Sequence, residues 1–173
     1  MSPIAPIDST SMRFFSGSSN PQLAADISSY LGIPLDSTHI ARFSNDDLYI
    51  QLGATVRGRE VFIVQSLTPP VNDNLVELLM MLDIARSSAA KEVHAIIPYF
   101  SFARSDKKDA PRISITARLI ADLLQTAGAT HVTNRSRQDE MAVLEESVGD
   151  AAIYPVHKPR QQHCGDRHDR RRE

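Results

Sequence analysis

Hydrophobic and polar positions divide the chain into a strand-rich opening and a later region with helical spacing. Short apolar runs occupy residues 13–15, 39–43, 47–52 and 60–65, separated by Ser-, Gly- and Asn-bearing turns. Runs of this length bounded by turn residues are typical of β-strands. The opening of the chain therefore predicts four short strands.

The first helix is bounded by residues that commonly begin and end helices. Asn20 is a suitable N-cap, and Pro21 suits the first helical position because its fixed φ matches a helix. Gly32 is of the type favoured just past a helix end. The sequence therefore predicts a helix from Pro21 to about Leu31.

Residues 71–90 show helical periodicity. Their apolar stripe recurs at i, i+3, i+4 and i+7, namely Leu75, Leu78, Leu79 and Leu82. A continuous apolar run at residues 93–98 then has the length of a buried strand. These two segments predict a long helix that packs on a sheet.

A second amphipathic helix follows the polar loop at residues 99–112. Ser114 is its predicted cap and Gly128 its end, with an apolar stripe at Ile120, Leu123, Leu124 and Ala127. Alternating strands and helices with short connections are typical of a parallel α/β sheet, in which ligands bind beyond the carboxyl ends of the strands. We therefore predict an α/β domain with the polar loop at its ligand-binding edge.

The two ends of the chain lack this patterning. We expect a loose arm at residues 1–11, the folded domain at 12–132, a divergent segment at 133–157 and a disordered basic tail at 158–173. Within the divergent segment, a polar helix could form around Met141, Val143, Leu144 and Val148.

Composition narrows the function classes. The 173 residues suffice for one core, and 19 Lys and Arg against 21 Asp and Glu give no strong field for nucleic acid or membranes. A single cysteine excludes an internal disulfide, and we expect a soluble, cytoplasmic chain without a membrane span. Six histidines show no metal-ligand spacing except His163, Cys164 and His168 in the tail, which we interpret as accidental, so no metal site is predicted.

The loop at residues 102–112 carries the strongest chemical signal. It contains four cations and two carboxylates, namely Arg104, Lys107, Lys108, Arg112, Asp106 and Asp109. Arginine and lysine in this number fit a polyphosphate, because phosphoryl transfer depends on positioning and charge neutralisation. Taken alone, the segment is more typical of a solvated loop whose charges pair with each other, and that simpler reading is favoured.

Two further segments allow a nucleotide contact. Phe43 with Asn45 and Asp47 could stack on a purine and hydrogen-bond its edge, but unaided the pattern favours a hairpin corner with Phe43 in the core. The Ser/Gly-rich residues 15–21 could cradle an anion at a helix N-terminus, although helix capping explains them better.

Five blocks in order, from residue 15 to residue 129, resemble one enzyme family. They read FSGSSNPQLA, RFSNDDLYIQL, VRGREVFIVQS, PVNDNLVELLMMLDIAR and IPYFSFARSDKKDAPRISITARLIADLLQTAGA. The chain resembles the N-terminal domain of the ribose-phosphate pyrophosphokinases. The resemblance implies a type I phosphoribosyltransferase fold, assembly as a homo-oligomer, and Mg²⁺-dependent transfer of the ATP diphosphate to ribose 5-phosphate.

The resemblance also implies roles for individual residues. Phe43, Asn45 and Asp47 would meet the adenine of an ATP that a neighbouring subunit holds. Arg104 would hold the triphosphate, and Asp109 would accept from the adenine amino group.

Two more features follow from the same resemblance. Ser105 stands where the family often has Gln, which weakens the nucleotide contact there. Arg57 lies in a turn resembling the family's regulatory phosphate region, and the stretch from Asn72 resembles an inter-subunit surface.

The resemblance stops after Val132. The family continues with a strand ending in a magnesium-binding His, and then with a half that binds ribose 5-phosphate; residues 133–136 here read TNRS. We therefore expect an incomplete active site, a chain inactive alone, and hypothesise a truncated or frameshifted product.

Two alternative functions remain at this point. The chain could be a non-catalytic regulatory partner that binds a full-length synthetase through the helix from Asn72. The tail could instead bind nucleic acid weakly, since residues 158–173 carry six Lys and Arg against three acids, but we rank this last.

Overall fold

Eight strands and three helices make up the part of the chain that the computed structural model describes, residues 11–108, 110–134 and the backbone of 143–144. The strands are β1 (Met12–Ser16), β2 (Leu35–Asp36), β3 (Thr38–Arg42), β4 (Leu48–Leu52), β5 (Glu60–Val64), β6 (Glu92–Ile97), β7 (His131–Asn134) and β8 (Val143–Leu144). The helices are α1 (Pro21–Leu31), α2 (Val71–Ser87) and α3 (Thr116–Ala127), with a 3-10 helix at Ser101–Arg104.

A six-stranded sheet in the order β2-β1-β5-β6-β7-β8 forms the centre of the fold. All its pairings are parallel except that of β7 with β8. The helices α2 and α3 connect β5 to β6 and β6 to β7, as parallel neighbours require. Strands β3 and β4 form a separate antiparallel hairpin.

The sheet lies between two helical layers of unequal size. On one face α2 and α3 pack on the strand residues Phe15, Val61, Ile63, Val93, Ala95 and Ile97. On the other face α1 covers a smaller cluster of Phe14, Ala24, Ile33 and Val64. Alternation of side chains along each strand directs consecutive residues to opposite layers. The result is the predicted α/β domain, built as a mostly parallel sheet between two helical layers.

The boundaries of the first helix agree with the sequence. The Asn20 side chain accepts a hydrogen bond from the Leu23 backbone N–H at 3.2 Å, and Gly32 adopts φ 67° past the helix end. A residue with a Cβ is strained at such a φ, which explains the choice of glycine.

Other boundaries needed correction. The helix predicted to run to residue 90 ends at Ser87, and Ala89 adopts φ 60° just beyond it. Ser114 does not cap α3, because the helix begins at Thr116 without a side-chain cap. Within its stripe, Ile120 and Leu124 are buried, whereas Leu123 is exposed.

The polar helix predicted within residues 134–150 is wrong at Val143 and Leu144, which are extended and pair antiparallel with β7. Met141 and Val148 lie outside the described residues, as do residues 1–10 and the predicted tail. No helix in the described ranges is both long and apolar enough to cross a bilayer.

The buried face of α2 generates a stability prediction. Leu78 is 0% exposed in the main core, whereas Val76 on the same helix is 48% exposed. Leu78→Ala should lower the free energy of unfolding by about 3 kcal/mol, because it removes buried methyl groups and leaves a cavity. Val76→Ala is the matched control and should change stability by less than about 0.5 kcal/mol. Urea denaturation followed by circular dichroism measures both, and equal losses would contradict the packing described.

Candidate nucleotide site

Three loops meet at one edge of the sheet because β1, β5 and β6 are parallel neighbours. They follow the carboxyl ends of these strands, at residues 17–20, 65–70 and 98–115. In open α/β sheets, this edge is where ligands bind. The three loops differ in chemistry, and only one of them is cationic.

A buried polar network holds the first two loops against α2. The Glu77 carboxylate is 4% exposed and accepts hydrogen bonds from the Ser18 N–H at 2.6 Å, the Ser18 hydroxyl at 2.7 Å and the Gln65 amide at 3.0 Å. Gln65 in turn accepts from the N–H and hydroxyl of Ser19, at 3.1 and 2.7 Å. Three donors compensate for the lost hydration of the buried carboxylate.

The network settles the role of the Ser/Gly-rich loop. The Ser18 N–H donates to Glu77 and the Ser19 N–H donates to Gln65, so neither group is free to bind an anion. The alternative in which these N–H groups cradle an anion is therefore wrong. Capping, the preferred explanation, holds for Asn20 alone. Gly17 is required by close approach, since a Cβ there would lie 2.7 Å from Glu77 Oε1.

A pocket of about 240 Å³ lies beside this network. Its walls combine the Ser-rich loop, the loop after β5, the start of α2 and one hairpin residue, namely Ser18, Ser19, Arg42, Thr68, Pro69, Pro70, Asp73, Asn74 and Glu77. Arg42 is its one cation, and it already pairs with Asp73 at 3.0 Å. The pocket is therefore poorly suited to a polyphosphate.

The third loop is the cationic one, and its start is firmly anchored. The Tyr99 carbonyl accepts from the Leu67 N–H at 2.8 Å, and Phe100 and Phe102 pack on the main core. The 3-10 helix then presents Arg104, and the Ser105 carbonyl accepts from the Ala117 N–H at 3.3 Å. Arg104 is therefore held on a fixed segment just beyond the tip of β6.

The cations of this loop have no ion-pair partner in the part of the chain that the structure describes. Arg104, Lys107, Lys108 and Arg112 are all exposed. None forms an ion pair or side-chain hydrogen bond with another residue in the described ranges. The reading in which the loop's charges pair with each other is thus unsupported here, although Asp109 lies outside the described residues.

The hairpin tip differs from the expectation that Phe43 is buried. Phe43 is 55% exposed, and its ring makes an edge contact with Tyr49 at 6.1 Å. The backbone closes with Asp46 N–H to Phe43 carbonyl and Phe43 N–H to Asp47 carbonyl bonds, both 2.9 Å. The simpler reading of a core Phe43 is wrong, because the turn directs its ring outward.

A guanidinium ties this tip to the body of the domain. Arg42 bonds the Asp46 carboxylate at 2.7 Å within the turn and Asp73 at 3.0 Å on α2. The hydrogen bond and charge of Asp46, with a smaller contribution from Asp73, raise the pKa of Arg42. Asn45 accepts from the Asp47 N–H at 3.4 Å, so the predicted adenine-reading pair is ordered within the turn.

The residues predicted to contact ATP fall into two groups, the hairpin tip and the cationic loop, with no polar contact between them among the described residues. No hydrogen bond or ion pair of the described residues links the tip at 43–47 with the loop at 99–112. Arg57 lies at the opposite, amino-end edge, in a turn where Gly58 adopts φ 68°. Its regulatory role therefore stays a prediction.

Sequence reasoning missed two clusters. Gln65 and Glu77 are twelve residues apart and meet only through the packing of α2 on β5. The expectation of no metal-ligand set was also incomplete, because Glu92, His94 and His131 come together on neighbouring strands. The sequence signal for Glu92 and His94 was their spacing of two residues on β6, which places both side chains on the same face of the sheet.

The fold is that of a phosphoribosyltransferase-like α/β domain, with a cationic loop at the carboxyl edge of its sheet. Residues 12–128 match the N-terminal domain of ribose phosphate pyrophosphokinase, and the chain belongs to this family of transferases.

Relatives of known sequence and structure agree. The ribose-phosphate pyrophosphokinase of Wolinella succinogenes is 53% identical over 120 residues, covering 69% of this chain and 39% of the relative. Ribose-phosphate pyrophosphokinase 1 of Spinacia oleracea is 48% identical over 123 residues, covering 71% and 37%. The crystal structure of phosphoribosylpyrophosphate synthetase from Mycobacterium smegmatis superposes with a TM-score of 0.69 at 36% identity, covering 71% and 41%. The chain spans about two fifths of the length of these relatives.

Gly17 supplies a test of the network. Gly17→Ala forces its methyl group against Gln65 and Glu77, so we expect a loss of about 2 kcal/mol in unfolding free energy from overpacking. Ser29→Ala, on the exposed side of α1, should change stability little. Urea unfolding compares them; an unchanged midpoint for Gly17→Ala would show that the loop is not packed on Glu77.

Proposed function

We propose that this domain supplies the ATP-contacting surface of a ribose-phosphate pyrophosphokinase. The reaction is ATP plus ribose 5-phosphate to phosphoribosyl pyrophosphate plus AMP, a step that feeds nucleotide biosynthesis. The observation that carries the proposal is the set of exposed cations, without an ion-pair partner among the described residues, on an anchored loop beyond β6. Like charges held together without counter-ions favour a polyanionic ligand.

Within this site Arg104 holds the triphosphate. Its position at the end of the 3-10 helix fixes the backbone, and the planar guanidinium can donate two parallel hydrogen bonds to phosphate oxygens. Ser105 adds a hydroxyl, and Asp109 accepts from the adenine amino group. Lys107, Lys108 and Arg112 add charge around the ligand.

The adenine-reading residues come from a second copy of the chain. Phe43 provides an exposed stacking face, while Asn45 and Asp47 read the base edge. The tip and the cationic loop of one chain share no polar contact in the described residues, which favours pairing between copies. A homo-oligomer is therefore part of the proposal.

Magnesium enters this site with ATP. The loop offers cations and the single described carboxylate Asp106 rather than the paired oxygen ligands from which proteins build their own Mg²⁺ cages. Phosphate oxygens would thus hold most of the ion's coordination shell. The ion would neutralise charge on the transferred group.

Transfer between two phosphate-bearing substrates needs two anion sites. Among the described loops at the carboxyl edge, one is cationic, and the other two are committed to the Gln65–Glu77 network. We therefore propose that ribose 5-phosphate requires a complete enzyme and that this chain alone does not turn over. Arg57 would serve a separate regulatory phosphate at the opposite edge.

The phosphate contact is tested by calorimetric titration with Mg-ATP. Arg104→Ala should weaken ATP binding at least about tenfold, since a charge-assisted hydrogen bond contributes roughly 1.5–3 kcal/mol. Arg86→Ala is the matched control, because this exposed arginine lies at the C-terminal end of α2, near the amino edge of the sheet, where it bonds the Thr126 carbonyl at 2.7 Å. Equal affinities for the two variants would remove the polyphosphate assignment.

The two-copy arrangement is tested by mixing variants. Phe43→Ala and Arg104→Ala should each bind ATP weakly, whereas an equimolar mixture should recover tight binding at about a quarter of the sites, because one site of each mixed pair is intact. Tyr30→Ala, an exposed aromatic on α1, is the control for loss of surface area. No recovery on mixing would place both groups in the site of one chain.

Turnover is tested by ribose-5-phosphate-dependent release of AMP. We expect none from the purified chain, and AMP at a rate above the ATP-only control would contradict the proposed requirement for a complete enzyme. The regulatory alternative makes a different prediction. This chain would co-purify with a full-length synthetase, and Arg104→Ala in this chain would leave the ATP affinity of the complex unchanged.

A further inference from the structure

We propose that Glu92, His94 and His131 form a binding site for a borderline divalent cation of the Zn²⁺ type. The site lies on the face of the sheet opposite α2 and α3, at the amino ends of β6 and β7. It is separate from the cationic loop, because β6 alone places three residues, about 10 Å, between His94 and its carboxyl end at Ile97. Its role is structural rather than catalytic.

Strand pairing brings the three side chains together. The register pairs His94 with His131, so both imidazoles project from adjacent strands on the same face. Their ring centroids lie 4.5 Å apart. The Glu92 Oε2 atom is 3.5 Å from His94 Nε2, and the candidate ligand atoms of all three residues lie within 4.8 Å of one another. Two imidazoles and one carboxylate are a recurrent set for zinc.

The hydroxyl beside His131 is compatible with the tautomer that a metal needs. The Thr130 hydroxyl lies 2.9 Å from the Val93 carbonyl and 3.1 Å from His131 Nδ1. When its one proton is donated to the carbonyl, the oxygen accepts the Nδ1 proton and the lone pair of His131 is on Nε2. A ring N–H held by a neighbouring oxygen is the usual support for a metal-binding histidine.

The second imidazole has an unused ligand atom. His94 Nε2 is buried and has no hydrogen-bond partner among the described residues. An unsatisfied buried nitrogen is costly unless something compensates it, and a cation would do so. Burial first, and then the neighbouring His131, lower the pKa of His94.

Binding requires a modest rearrangement of the rings. The imidazole planes are nearly parallel, at 7°, whereas an ion about 2.0–2.1 Å from each nitrogen needs converging lone pairs. The broad χ2 torsion of histidine permits the tilt. Phe62 stacks on the other side of His94 at 4.5 Å, so the movement falls mainly on His131.

The ligand set selects the class of cation. Imidazole nitrogens suit Zn²⁺, Ni²⁺ and Cu²⁺, whereas Mg²⁺ and Ca²⁺ prefer oxygen ligands throughout. An ion bound by β6 and β7 would cross-link two strands by bonds absent from the unfolded chain. It would therefore raise the thermal stability of the domain by mass action.

The experiment titrates ZnSO₄ into the metal-free full chain by calorimetry, in buffer without chelator. His157, His163, Cys164 and His168 are first replaced by Ser, so that residues 157–173 contribute no imidazole or thiolate ligand. We expect one ion per chain and a higher melting temperature with Zn²⁺. His94→Ala, His131→Ala and Glu92→Gln should each weaken binding at least about tenfold. His39→Ala, an exposed histidine on the hairpin, is the matched control and should bind as before.

Several results would overturn the proposal. If replacing His157, His163, Cys164 and His168 abolishes Zn²⁺ binding, the metal belongs to those residues and not to the proposed cluster. Equal Zn²⁺ affinity in Glu92→Gln and His39→Ala would also exclude the cluster. Circular dichroism checks that each variant is folded. Co²⁺ absorption gives a second readout, since replacing either imidazole must change its visible spectrum if both are ligands. ATP titration of the same variants separates this site from the proposed nucleotide function.

Discussion

The buried carboxylate of Glu77 is the interaction on which the carboxyl edge depends. Glu77 belongs to α2, yet its donors come from the loop after β1 and from Gln65 beyond β5. A charge removed from water is tolerated only when its lone pairs are satisfied, so the three elements must keep one arrangement. The loop after β6 is joined to this unit through the Leu67–Tyr99 hydrogen bond. The network thus gives the cationic loop a rigid neighbour.

Patterns of hydrophobic spacing were sufficient to predict the framework of the fold. The stripe on α2 and the continuous apolar run of β6 each reflect burial against a layer, and burial dominates the choice of local structure. Caps predicted α1 well, because the Asn20 side chain and the φ of Gly32 act on residues close to them in sequence. Ser114 is not the cap, because α3 begins at Thr116; the Ala117 N–H in its first turn bonds the Ser105 carbonyl, a partner twelve residues away in sequence.

Features that depend on contacts distant in sequence could not be predicted in this way. His94 and His131 are 37 residues apart and meet through strand register, which sequence spacing does not encode. The exposure of Phe43 likewise depends on which side of the hairpin faces α2. The cationic loop was foreseen by composition and position, whereas the absence of counter-ions within the described residues required coordinates. Its assignment to ATP rests on the family.

The β3–β4 hairpin is fixed at both of its ends. At its base the Gly53 N–H bonds the Ser37 carbonyl at 2.8 Å, with no room for a side chain at Gly53. Five residues of strand, about 17 Å, separate this base from the turn. A rotation of about 5° at the base alone would displace the Phe43 ring by roughly 1.5 Å over that length. The Arg42–Asp73 ion pair near the tip opposes such a rotation, so the base and the ion pair together set how accurately a distant aromatic surface is oriented.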